Sequence, residues 1–365
     1  MIGERPASVS LKHLRRLALH AAEGLFPGYF ALVMATGVIS IATMLQGHTA
    51  FAMALVLVNW LAYAVLVGLL VTRLWVFPRQ IAADISNHQR APGFFTVVAG
   101  TCVLGTQTMI VTGATAVATA LLYLGFGLWV VVMYTFFTAV TVRADKPSLA
   151  TGINGAWLIA AVATQSVVVL SCAIRVDAAP LPAVQFFCIA MFMVGCMLYL
   201  AIIPLIFYRL TFLDLAARDF GPPYWINMGA VAISALAGSM LILRVPIWPV
   251  LQPFEPFLHG FTLFFWSVAS WWIPFLLALM GWRYIVRRDR LVYEPQFWGM
   301  VFPLGMYTTS TLQMARALEL PFLEPIPQYF VFVAVAAWIV TSAGLVHHLV
   351  RGLRGRPGGG AVISP

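Results

Sequence analysis

Charge is what this sequence has least of. Asp, Glu, Lys and Arg make up only 9% of its 365 residues, whereas a soluble chain carries about 25%. Hydrophobic residues reach 62%, and the mean hydropathy is +0.93. These values exclude a water-soluble enzyme and a disordered chain. Only four cysteines are present, in apolar stretches at no metal-ligand spacing, so small packing residues are favoured over a disulfide framework or a zinc site: Cys102, Cys172, Cys188 and Cys196.

The motifs of soluble catalysis are also absent. The chain contains no nucleophile elbow, P-loop, dinucleotide fingerprint or zinc-protease motif, and no ATPase domain. Its seven histidines show no facing pair at membrane depth, so we interpret them as solvated interface residues and not as haem or metal ligands. We therefore predict a protein that is not an enzyme, with no cofactor and no nucleic-acid partner.

Long apolar runs dominate instead. A helix needs about 20 apolar residues to cross the hydrocarbon core, and strands of a membrane barrel alternate over about ten. Ten stretches satisfy the helical length: 25–45, 51–74, 93–113, 117–142, 151–174, 184–209, 223–243, 258–285, 296–317 and 327–350. The sequence thus predicts an all-α integral membrane protein of ten transmembrane helices over 25–350. A basic amphipathic segment, 1–24, precedes it on the membrane surface, and a disordered tail, 351–365, follows.

The basic residues are unevenly placed. Of the 21, 18 fall in the two termini and in the loops after every second span, and the opposite side has Arg175, Arg244 and Arg316. By the positive-inside rule both termini lie in the cytoplasm, and the protein is a multi-pass protein of the cell inner or plasma membrane. The net charge of +9 is explained by insertion topology alone, or it also concentrates anions at a pore mouth.

The odd-numbered spans open alike. Their starts are 65, 62, 68 and 73 residues apart: Pro27-Gly28-Tyr29-Phe30, Pro92-Gly93-Phe94-Phe95, Asn154-Gly155-Ala156-Trp157, Pro222-Pro223-Tyr224-Trp225 and Pro295-Gln296-Phe297-Trp298. Direct repeats of two spans place the symmetry axis along the membrane normal. We therefore predict five helical hairpins in a quasi-five-fold ring around a central pore. The odd helices, rich in small residues, form the inner ring, and the even helices face lipid.

Aligning the repeats on their starts predicts one pore layer of Met34, Ala99, Ala161, Gly229 and Phe302. Phe302 is its only rigid bulky member, and Pro303 follows it and should bend the helix. Phe302 is therefore a candidate gate with Pro303 and Gly305 as hinge, or it is a ring packed in the kink against a neighbouring helix. Polar residues in adjacent layers line the pore or form helix-packing hydrogen bonds: Thr36, Ser40, Thr101, Gln107, Thr164, Gln165, Asn227, Ser234, Thr308 and Thr311.

No ionisable residue occurs at mid-span in the odd helices. Proton pumps and cation transporters usually keep such residues within the membrane. A neutral pore with a positive mouth instead suits weakly bound anions, and it is compatible with a channel or a carrier.

Three segments carry a resemblance to a known family: Phe26 to Gly37, Pro92 to Thr101, and Phe302-Pro303-Leu304-Gly305. They resemble the tellurite-resistance/C4-dicarboxylate transporter family, which includes malate permease, sulfite efflux pumps and slow anion channels, and the likeness covers about 25–350. The resemblance implies a ten-helix quasi-five-fold bundle, often a homotrimer, with an anion pore closed by a phenylalanine that matches Phe302.

The resemblance also implies small anions as transport partners, with membrane lipid around the protein. C4-dicarboxylates such as malate are the favoured class, moved by a channel or a proton-linked carrier. A sulfite or inorganic anion exporter or channel, linked to tellurite resistance, is the alternative. Two other classes stay open: a membrane-embedded redox or sensor subunit, and a transporter of a neutral solute or cation.

Overall fold

The computed structural model describes residues 11–174 and 180–354, and within these ranges all regular structure is helical. The α-helices of these ranges are α1 (Leu11–Glu23), α2 (Ala31–Leu45), α3 (Thr49–Val76), α4 (Pro78–Ile85), α5 (Phe95–Thr112), α6 (Thr115–Val142), α7 (Leu149–Gly152), α8 (Ile159–Ala173), α9 (Pro182–Phe212), α10 (Ile226–Ile242), α11 (Glu255–Gly281), α12 (Trp298–Ala317) and α13 (Pro325–Arg354).

A short 3-10 turn leads into each helix that follows a repeated start. These lead-in turns are Pro27–Phe30, Ala91–Phe94, Gly155–Leu158, Pro222–Trp225 and Pro295–Phe297. Proline suits such a turn because its backbone angle is already helical and it has no N–H to leave unpaired. The third turn lacks proline, and the side chain of Asn154 caps it by accepting a hydrogen bond from the Ala156 amide. The sequence repeat is therefore a repeat of local structure.

The helices after these turns form a closed ring. Packing contacts run from α2 to α5, α8, α10 and α12, and from α12 back to α2. The second helices of the hairpins, α3, α6, α9, α11 and α13, lie around this ring. The apolar spans that include α2, α5, α8 and α10 are 72–94% buried, whereas the peripheral spans are 17–50% buried. The predicted division into inner and lipid-facing helices follows from this difference.

Nine helical spans in the described part of the chain are long and apolar enough to cross a membrane. The ring helix α12 has 20 residues, but its polar run Thr308–Thr311 makes it less apolar than the others. The prediction of an all-helical membrane fold is confirmed, and the number of exactly ten spans stays a prediction.

Glycines at the lead-in turns allow neighbouring hairpins to touch. A Cβ atom on Gly93 would lie 2.8 Å from the backbone nitrogen of Gly28, and one on Gly155 would overlap the carbonyl oxygen of Pro223. Both glycines therefore stand where two adjacent turns meet backbone to backbone. The Pro-Gly pattern at the starts is explained by this contact as well as by helix initiation.

Arginines at the ends of four peripheral helices connect the two parts of four of the five hairpins. Each guanidinium donates to a backbone carbonyl in the segment that precedes the ring helix of its own hairpin: Arg73 to Leu25 (2.6 Å), Arg209 to Ala150 (2.6 Å), Arg283 to Phe220 (2.5 Å) and Arg143 to Ser86. Arg73 and Arg283 also pair with Asp84 (2.8 Å) and Asp289 (2.7 Å). Part of the basic excess thus has a structural role at this end of the ring.

The terminal segments are described in part. Helix α1 packs against α3, and its position on a membrane surface stays a prediction. Helix α13 continues to Arg354. Residues 1–10, 175–179 and 355–365 lie outside the described residues, and so do Arg175 and most of the predicted disordered tail.

Candidate functional site

Two small cavities lie inside the ring, and each is lined by all five hairpins. The first, of about 50 Å³, lies at the end where the ring helices begin, and we call it the N-terminal chamber. Two complete layers surround it, each with one residue from every repeat: Gly28, Gly93, Ala156, Pro223 and Gln296, then Ala31, Thr96, Ile159, Ile226 and Gly299.

The second cavity, of about 20 Å³, is the C-terminal chamber. Its layers are Val38, Val103, Ser166, Ile233 and Met306, then Ile41, Thr106, Val169, Leu236 and Thr309, followed by Ile110, Met240 and Gln313. The first of these layers lies seven residues beyond the second layer of the N-terminal chamber in every repeat. Seven residues are about two helical turns, so both chambers lie on one axis and face the same side of each ring helix.

One layer separates the two chambers. One helical turn beyond Ala31, Thr96, Ile159, Ile226 and Gly299, the same register reaches Met34, Ala99, Val162, Gly229 and Phe302, all of them buried. Phe302 is only 1% exposed and is the one aromatic ring of this layer. Neither chamber includes it in its lining. Its position therefore fits a plug between two chambers.

Four of these five residues belong to the layer predicted from the sequence. In the third repeat the chamber register gives Val162, one residue after the predicted Ala161, because the lead-in turn begins at Gly155 and not at Asn154. Ala161 itself is fully buried beside it.

Helix α12 is closely packed on both sides of Phe302. A Cβ atom on Gly229 of α10 would lie 2.7 Å from Cγ of Pro303, and one on Gly305 would lie 2.7 Å from Cγ1 of Val38 on α2. Pro303 lies inside α12 and has no N–H to donate. The predicted hinge residues are thus also the contact points of α12 with its two neighbours.

Three of the predicted lining threonines bind peripheral helices. The Nε1 atoms of Trp338 and Trp129 donate to the hydroxyls of Thr36 (3.0 Å) and Thr164 (2.8 Å), and the hydroxyl of Tyr63 lies 2.9 Å from that of Thr101. All three lie five residues after the chamber layer of Ala31, Thr96 and Ile159 in their own repeats. They are equivalent contacts between a ring helix and the peripheral helix of the preceding hairpin. The structure does not place them in either chamber lining.

The remaining predicted polar residues are also outside the two linings. Hydroxyls of Ser40, Ser234, Thr308 and Thr311 donate to backbone carbonyls, Gln107 accepts from Asn59 (2.7 Å), and Gln165 donates to the Phe192 carbonyl (3.1 Å). The amide of Asn227 is fully buried, and neither of its polar atoms has a hydrogen-bond partner among the described residues.

The chamber linings carry no ionisable side chain among the described residues. Charge is provided at the mouth instead. All five ring helices begin at the N-terminal chamber, and each helix start carries about half a positive elementary charge. Near this end, the Arg283 guanidinium holds the pKa of the Asp289 carboxyl below its usual range. Burial, with Arg143 and Lys146 nearby, lowers the pKa of His88.

A family model for SLAC1, the voltage-dependent anion channel, matches residues 24–346. The chain belongs to the SLAC1 family. An uncharacterised membrane protein of Mycobacterium tuberculosis is 37% identical over 152 residues, which are 42% of this chain and 77% of that protein. An uncharacterised transporter of Methanocaldococcus jannaschii is 22% identical, over 89% of this chain and 94% of its own. A sulfite efflux pump of Trichophyton rubrum is 23% identical, over 90% and 91%.

These matches confirm the resemblance drawn from the sequence, since SLAC1-family relatives of nearly the same length are transporters and sulfite efflux pumps. The chamber hydroxyls and the Gln313 amide were not among the residues predicted from the sequence: Thr96, Thr106, Ser166 and Thr309. A signal exists for Ser166 and Gln313, because stepping seven residues from the first helical turn of each repeat leads from Ile159 to Ser166 and from Gly299 to Met306 and Gln313.

Proposed function

We propose that this SLAC1-family protein moves small anions across a membrane along the ring axis, and that Phe302 closes the path between the two chambers. The observation that carries the proposal is the layer of Phe302, which lies between two chambers that every hairpin lines. Pro303 and Gly305 serve as the hinge in this proposal.

The polar residues divide into two groups. We assign the contact with the solute to the hydroxyls and amide that line the chambers, among them Ser166, Thr309 and Gln313. Thr36, Thr101 and Thr164 instead hold peripheral helices on the ring. This division separates solute contact from helix packing, which the sequence left open.

The neutral lining and the helix starts favour an anion over a cation. Five positive helix ends attract an anion to the N-terminal chamber, and a lining without fixed charge lets it leave again. We place this mouth, both termini and the arginine-rich loops in the cytoplasm of a cell whose inner or plasma membrane holds the protein. Association into a homotrimer stays a prediction of the resemblance, which native mass spectrometry would measure.

Similarity to known proteins favours inorganic anions over dicarboxylates. A relative over nearly the whole chain is a sulfite efflux pump. We therefore put sulfite and other small inorganic anions first, and keep C4-dicarboxylates as the second candidate class.

A flux assay tests both candidates. Purified protein in liposomes is given sulfite, nitrate, chloride, malate and succinate, each with and without a pH gradient, and compared with protein-free liposomes. We expect inorganic anions to cross faster than the dicarboxylates. Malate uptake that exceeds sulfite uptake would reverse this order of candidates. A rate that follows the pH gradient indicates a proton-linked carrier, and a rate that follows voltage alone indicates a channel.

A further inference from the structure

At the C-terminal end of the ring, the helix ends carry partial negative charge, which disfavours an anion. Because all five ring helices run in the same direction, their C-terminal ends surround the C-terminal chamber. Each such end carries about half a negative elementary charge. An anion that enters or leaves here meets a ring of carbonyl groups, which repels it. Something at this mouth must offset that repulsion if anions are to bind there.

Arg316 is in the right place to do so. It lies three residues beyond Gln313 and seven beyond Thr309, both of which line the C-terminal chamber, so it continues the same face of α12. It stands in the last turn of this helix, and its side chain is exposed. Because the Cα–Cβ bonds of a helix tilt toward its N-terminus, the Cβ atom of Arg316 is directed toward the turn that holds Gln313.

The other described charged residues at this end are Arg244, Glu255, Glu319 and Glu324, and of these Glu319 and Glu324 are exposed and take part in none of the ion pairs seen among the described residues. The Nε atom of Arg244 donates to the carbonyl of Cys172 (3.0 Å), which lies in the last turn of α8. Glu255 lies 4.0 Å from His259 on the same helix. Arg316 takes part in none of the ion pairs seen among the described residues. In the other described ring helices, the equivalent positions are His48, Gly113 and Leu243.

We propose that Arg316 is the residue that captures anions at the C-terminal mouth and sets the affinity of the conduit from that side. This proposal rests on the anion transport proposed above. It concerns one mouth only, so it predicts an asymmetry. Removing the charge should weaken anion binding from the C-terminal side and leave binding from the N-terminal side unchanged. For a charge pair several ångströms apart at a wet protein surface, the expected change in half-saturating concentration is about fivefold.

Planar bilayers with purified protein allow each side to be tested separately. Anion currents are recorded while sulfite or chloride is varied on one side at a time, with an impermeant anion keeping ionic strength constant. Arg316→Gln should raise the half-saturating concentration about fivefold from one side. Arg316→Lys should keep the wild-type value, because the charge is retained. Lys146→Gln removes an exposed charge at the N-terminal end and is the matched control. It should leave the half-saturating concentration on the C-terminal side unchanged.

The outcomes distinguish a failure of this proposal from a failure of the proposed anion transport. If neither the wild type nor Phe302→Ala carries anion current, the transport function itself is wrong. If the wild type conducts and Arg316→Gln shows unchanged saturation on both sides, or equal shifts on both, the role of Arg316 is wrong. Arg316→Lys behaving like Arg316→Gln would also overturn it, because charge would then not be the cause. Size-exclusion profiles equal to that of the wild type establish that each variant is folded.

Discussion

Replacing Phe302 by alanine should open the path between the two chambers. The Phe302 ring is 1% exposed and lies in the single layer that separates them. Passage of an anion requires this ring to leave its packed position. Deleting a buried phenylalanine side chain costs about 3–5 kcal/mol, which is an upper bound on the cost of moving the ring aside. Since about 1.4 kcal/mol corresponds to a tenfold change in rate, the closed ring slows passage by at most about four-thousandfold.

We therefore expect Phe302→Ala to raise anion flux at least about tenfold and at most about four-thousandfold. The measurement is chloride or sulfite efflux from proteoliposomes, normalised to the amount of folded protein. The variant should also unfold at a lower temperature, because it loses the packing of the ring. Higher flux with lower stability is the combined signature of a gate that is also a packed core residue.

Phe95→Ala is the matched control. Phe95 is also fully buried on a ring helix, but its ring packs against Phe136 of the peripheral helix α6, with 5.2 Å between ring centroids. It lines neither chamber. This variant should lose similar stability and keep wild-type flux. The reasoning is refuted if Phe302→Ala, folded and monodisperse, carries no more anion than Phe95→Ala.

Three further substitutions test other contacts. Gly155→Ala should lower the unfolding temperature by the equivalent of about 1–3 kcal/mol, because the new methyl group meets backbone of the next lead-in turn; Gly68→Ala, with open space around it, should be neutral or stabilising. Thr101→Val should cost about 1 kcal/mol of stability in a thermal melt with unchanged anion selectivity, and a selectivity change would place this hydroxyl in the path. The pKa of Asp289 is lowered by Arg283, so its stabilising effect is present above the unfolded pKa of about 3.9 and is lost as the pH falls through the lower folded pKa. The wild type and Asp289→Asn should therefore differ in melting temperature at pH 6 and have the same melting temperature in acid. A difference that stays constant with pH would contradict the pairing.

Much of the architecture follows from the sequence because it depends on length and periodicity. Apolar runs fix the helices, and the repeated starts fix the hairpin unit and its direction. The lead-in turns and the ring order then follow from close packing of small residues, as at Gly93 and Gly155. The position of Phe302 also follows, because four repeats share an unambiguous start.

The third repeat shows where the sequence is insufficient. It has no proline at its start, and Asn154 resembles a first residue although it acts as a side-chain cap. This shifts the predicted register from Val162 to Ala161. The roles of the polar residues are harder still to predict from the sequence, because a threonine on a ring helix can face the axis or the next helix. Thr101 and Thr309 differ in this respect only through the helical face on which each lies.

The arrangement of the repeats also explains why the chamber linings need so little charge to attract an anion. Inverted repeats place helix ends of both signs at each side of a transporter, and the fields of such helices largely cancel. Five direct repeats do the opposite: every ring helix begins at one mouth and ends at the other, so the backbone itself provides a field along the axis. A conduit of this kind attracts anions at its N-terminal mouth without a fixed cation in its lining, in keeping with the uncharged chambers. The same polarity leaves the C-terminal mouth negative, and this is where the proposed capture of anions by the exposed Arg316, in the last turn of α12, would act.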